Sequence, residues 1–65
     1  MAKSKLITAL INKYKAEISG AEATLDIYLN NSVGIGEHPQ HLEEMDKLVE
    51  KIANAQEKLD VLRNL

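Results

Sequence analysis

The sequence predicts an all-α fold: an antiparallel two-helix hairpin that self-associates into a four-helix bundle. Two long segments, about 4–30 and about 39–64, repeat apolar residues at helical spacing. A single break, about 31–38, is rich in Asn and Gly and reads as a turn between them. The apolar arc of each helix is also wider than one neighbouring helix covers. With 65 residues the chain holds one small domain, taken as 1–65.

In the first helix Ile7, Ile11, Tyr14, Ile18, Ala21, Leu25 and Tyr28 keep a four-three alternation, the seam of a helix that packs lengthwise on another. Leu6, Leu10 and Leu29 widen the seam, and Lys5, Thr8, Asn12, Lys15, Ser19 and Asp26 form the wet face. At ~1.5 Å per residue the segment is ~40 Å long.

The turn runs through Val33, Gly34, Ile35, Gly36 and Pro39. Asn and Gly tolerate the left-handed conformation that ends a helix, and Pro39 suits the first turn of the next. Val33 and Ile35 are expected to fold back over the end of the helix pair. The second helix carries Leu42, Met45, Leu48, Val49, Ile52, Ala55, Gln56, Leu59 and Leu62 as its stripe. Glu43, Glu44 and Asp46 near its start and Arg63 near its end suit the helix dipole.

A turn centred near Ile35 sets Tyr28 beside Leu42, Ile18 beside Ile52 and Lys13 near Glu57. Up to Asn30 the formal charge is +1, and beyond it −3. Exposed ion pairs contribute only ~0–1 kcal/mol each, so burial decides the fold. A lone hairpin leaves Leu6, Leu10, Leu48, Leu62 and Leu65 partly wet. A two-fold dimer covers them with no new sequence. The expected oligomer interface is Leu6, Leu10, Tyr14, Ile18, Leu48, Ile52, Leu59 and Leu62. The alternative is a hairpin that docks on a different protein.

Composition excludes several functions. Apolar residues make up 45%, charged residues 28% and aromatics 3%, the last being Tyr14 and Tyr28 alone. There is no Cys, hence no disulfide, thiolate chemistry or Cys-based zinc site. Ten acids against eight bases, with a pI near 5.6, weigh against nucleic acid as a partner. No apolar run reaches the ~18 residues of a membrane span, and the N-terminal residues alternate too much for a signal peptide. A cytoplasmic protein is expected.

Glu37, His38, His41 and Glu44 are the one cluster with metal-ligand chemistry. A helix start needs polar residues for its free N–H groups in any case, so an end-cap is the favoured reading and no metal is assigned. Gly34-Ile35-Gly36 lacks the third Gly, the Lys-Ser/Thr ending and the preceding strand of a phosphate loop. Lys3, Lys5, Lys13 and Lys15 could contact phosphate, which supplies the alternative of a nucleic-acid-associated factor. Their scatter around the helix favours a solvated face. Tyr14 and Tyr28 read as amphipathic core or interface residues. Gln56 is either a buried polar residue that fixes register or the margin of its stripe. Gly20 is either a close crossing point with another helix or a tolerated surface glycine, and its place beside the seam favours the latter. No nucleophile, base and orienting group can be drawn together, so no enzyme activity and no cofactor are expected.

The turn from Val33 to Pro39, the run from Leu42 to Ile52 and the lead-in from Leu10 to Glu17 resemble small uncharacterised proteins of tailed phages that infect marine bacteria. The resemblance implies a context rather than a mechanism. The expected function is a non-enzymatic, homodimeric accessory protein that binds a host or phage protein in the bacterial cytoplasm.

Overall fold

A computed structural model describes residues 4–30 and 40–65. Helix α1 spans Lys5–Asn30 and helix α2 spans Gln40–Arg63. Both agree with the expected segments to within about a residue, the scatter normal for helix ends. Among the described residues there is no strand. The turn residues Val33, Gly34, Ile35, Gly36 and Pro39 lie outside the described residues, as do Lys3, Glu37 and His38.

Local chemistry explains where α1 starts. Ser4 caps it: the Leu6 N–H donates to Ser4 Oγ at 3.0 Å, and the Thr8 N–H closes the first turn on the Ser4 carbonyl at 3.1 Å. At the far end the Asn30 side-chain amide reaches back one turn and donates to the Asp26 carbonyl at 3.1 Å. Helix α2 carries Glu43 in its first turn and Arg63 in its last, both favourable with the dipole.

The two helices pack lengthwise and antiparallel. Tyr28, near the end of α1, meets His41, near the start of α2, edge to face with ring centroids 5.1 Å apart and planes at 68°. Midway, Lys58 Nζ lies 5.3 Å from the centroid of the Tyr14 ring. Toward the other end Ile11 and Lys15 border one depression with Leu59, Leu62 and Arg63. Rising positions on α1 therefore meet falling positions on α2.

Every expected seam residue of α1 is at least half-buried: Ile7, Ile11, Tyr14, Ile18, Ala21, Leu25 and Tyr28. On α2 the residues that turn inward are His41, Met45, Leu48, Ile52, Ala55, Leu59 and Leu62, which keep the same four-three spacing. Two expectations are corrected here. Leu42 does not sit beside Tyr28; it is 77% exposed, and His41 fills that place. The reason is geometric, since counting back from Met45 by four lands on 41 and not 42. Lys13 bonds Glu17 on its own helix at 3.4 Å rather than Glu57 across the hairpin, because a residue one turn away is already within reach. Val49 and Gln56 stand at the exposed margin of the stripe, which settles Gln56 as a marginal residue.

The register that Tyr28 and His41 fix places small residues against large ones, Ala21 across from Leu48 and Ala55 across from Tyr14. These alanines let the helices approach closely. They are 4% and 2% exposed, and with Leu59 at 9% they make up the buried core of the described residues.

Candidate interaction surface

So thin a core leaves much apolar surface outside. On α1, Leu6, Leu10, Ile27 and Leu29 are exposed; on α2, Leu42, Val49, Val61 and Leu65. The chain exposes 5296 Å². A compact globular protein of 7.2 kDa exposes about 4,100 Å². The excess, about 1,200 Å², is spread over the whole chain rather than gathered in one patch.

The structure divides the expected interface residues into two sets. Leu6 and Leu10 lie outside the hairpin, Leu6 at 78% exposure. Tyr14, Ile18, Leu48, Ile52, Leu59 and Leu62 line the α1–α2 seam, where Leu59 is buried and the rest are half-buried. Of the leucines expected to stay wet in a lone hairpin, Leu6, Leu10 and Leu65 are exposed, whereas Leu48 and Leu62 are half-covered.

The outward faces of the two helices differ in kind. Away from the seam, α2 presents Glu43, Asp46, Glu50, Glu57 and Asp60, all exposed, with Lys47 among them. Lys47 pairs with Glu44 at 3.8 Å, and Asp60 with Arg63 at 3.2 Å. Opposite its seam, α1 presents Leu6, Ala9, Lys13, Ala16, Gly20, Ala23 and Ile27, all exposed and with one charge among them. Sequence reasoning missed this second stripe. Its signal was present as a three-four alternation, but alanine and glycine scored too weakly to register as an apolar face. The stripe borders an open groove of about 420 Å³, lined by Lys13, Ala16, Glu17, Gly20, Ala21, Thr24, Leu48 and Lys51.

Two lysines lie near the Tyr14 ring. Lys13 pairs with Glu17 and its Nζ lies 5.6 Å from the Tyr14 ring centroid, while Lys58 approaches the same ring. Lys5 and Lys15 are exposed. Both tyrosines are half-buried against α2 rather than presented for base stacking. Of the candidate metal residues, His41 packs its ring on Tyr28 and Glu44 pairs with Lys47. Among the described residues no group of three His, Asp or Glu stands close enough to share an ion. No described helix is long and apolar enough to cross a membrane.

No protein-family model, curated protein or solved structure matches the chain.

Proposed function

We propose that this chain is a non-enzymatic interaction protein that works as a homodimer of hairpins, four helices in all. The observation that carries the reading is the mismatch between core and surface. Among the described residues only Ala21, Ala55 and Leu59 are buried, while eight large apolar side chains stand exposed. A chain of this length is marginal even when compact, and self-association is the common remedy. The open groove beside α1 suits the docking of a helix better than it suits enclosed chemistry.

The likeness of Val33–Ile52 and Leu10–Glu17 to tailed-phage proteins supports an accessory role in an infected bacterial cytoplasm. The target in that role is a host or phage protein bound through an apolar face that the dimer leaves open. Leu29, Leu42 and Val49 supply such a face, since all three are exposed.

Light scattering over a dilution series, with helicity followed by circular dichroism, tests the dimer. The expected mass is that of two chains at tens of micromolar, with helix content falling as the dimer dissociates. A fully helical single chain at low micromolar concentration overturns the reading. Affinity capture from host lysate, comparing the wild type with Leu42→Glu/Val49→Glu, tests the partner face. A partner retained by the wild type and lost by the double variant is expected.

A further inference from the structure

Resting on that homodimer, we propose that the second copy docks on the outward face of α1, so that α1 packs antiparallel against α1 of the partner around a two-fold axis at Ala16. Four observations converge on this face and this occupant.

The first is area. The whole chain exposes about 1,200 Å² more than a compact protein of its mass, and the α1 stripe contributes Leu6 at 78% and Ile27 at 62% exposure to it. Of the two outward faces only that of α1 can be covered without burying a row of carboxylates, since α2 carries Glu43, Asp46, Glu50, Glu57 and Asp60.

The second is self-complementarity, which a two-fold contact demands. The stripe reads alike from either end in size except at Lys13 and Gly20, where a long side chain meets a residue with none. Antiparallel pairing about Ala16 sets Leu6 against Ile27 of the second copy and Ala9 against its Ala23. It also sets Lys13 against Gly20, and Ala16 against its own counterpart. Large residues close both ends and small ones let the backbones approach between them.

The third is charge. In the same register Lys5 falls opposite Asp26 of the second copy, twice by symmetry, and both are exposed in the hairpin. Asn12 and Ser19 pair between them on the same flank. On the other flank Glu17 nears its own counterpart, but Lys13 already bonds it at 3.4 Å and offsets the like charge.

The fourth is Gly20. A Cβ built there meets nothing within 4 Å, so packing on α2 gives no reason for a glycine. A glycine inside a helix is unfavourable by roughly 1 kcal/mol relative to alanine. The apolar stem of a lysine from a second copy, laid across that site, gives the small residue a use.

The native chain has no cysteine, so single thiols report the contact cleanly. Under mild oxidation Ala16→Cys is expected to cross-link two chains in high yield, since Cβ atoms facing across the axis approach the ~3.8 Å of a disulfide. Ala9→Cys mixed with Ala23→Cys should give the mixed disulfide over either homodimer, as only antiparallel α1 pairing allows. Glu57→Cys, on the acidic back of α2, should stay unlinked. Ala16→Arg should weaken dimerisation at least tenfold without touching the α1–α2 seam, because residue 16 is exposed within one chain, so that mass and helix content fall together at a higher concentration than for the wild type. Lys5→Glu should weaken dimerisation and Lys5→Glu/Asp26→Lys should restore it. A dimer that tolerates Ala16→Arg and gives none of these cross-links overturns the α1 docking and leaves the homodimer standing. A wild-type chain that never dimerises overturns both.

Discussion

Replacing Ala55 with leucine inserts three heavy atoms at the tightest point of the hairpin. Ala55 is 2% exposed, on the seam across from Tyr14, whose ring already has Lys58 close by. Neither helix can rotate away without exposing the rest of its seam. Overpacking of this kind costs ~1–3 kcal/mol. A domain of this size has only about 3–10 kcal/mol in total, so the loss is a large fraction of it. At roughly 4–8 °C per kcal/mol the melting temperature should fall by about 5–20 °C. Ala53→Leu is the matched control. It makes the same chemical change two residues away on the same helix, but Ala53 points outward, and its effect should stay within about 0.5 kcal/mol. Both are read by thermal and urea unfolding under circular dichroism, at one protein concentration because association shifts apparent stability. Equal effects at the two sites, or a higher melting temperature for Ala55→Leu, would show that α1 and α2 do not meet at this register.

Leu59→Ala removes the one large side chain in the buried core of the described residues and should cost ~2–5 kcal/mol in urea unfolding, leaving a chain close to unfolded. Val61→Ala, an exposed site on the same helix, should cost less than about 1 kcal/mol. Gly20→Ala meets open space within one chain and gains roughly 1 kcal/mol of helix propensity, so the helix content left on dilution should exceed that of the wild type by circular dichroism. The ion pairs Lys13–Glu17, Glu44–Lys47 and Asp60–Arg63 lie within single helices at the surface. In an Asp26→Asn variant, which removes the proposed Lys5–Asp26 pairs between chains, raising the salt from about 0.1 to about 1 M should therefore change the unfolding free energy by less than about 1 kcal/mol; a larger change would point to ion pairs between the two helices.

The spacing of apolar residues was enough to place both helices and their pairing to within a residue. All seven seam positions of α1 could be named in advance because strong apolar types sit at every one of them except Ala21. Helix α2 was less legible at its start. There Leu42 outranks His41 in hydrophobicity, yet spacing, not hydrophobicity, decides which one faces the partner helix. The same preference for greasy residues misplaced Val49, which lies one step off the seam. The surface was harder still. The outward stripe of α1 consists mainly of alanine and glycine, which a hydrophobic scale barely distinguishes from a solvated face, and its meaning rests on shape and on the acidity of α2 by contrast. The ion pairing of Lys13 depended on side-chain reach, which position along a chain does not convey.

Tyr14 and Tyr28 carry the only phenol rings in the chain, which has no Trp or Phe, and both lie on the seam. Near-ultraviolet light absorbed by this protein thus samples the line where the helices meet and nothing on the outer surface. Tyr28 sits by the connection and Tyr14 about four turns back toward the open end. Two chains with one phenol each, made by exchanging the other for phenylalanine, would time the closing of the zipper at two points along its length, with no dye attached.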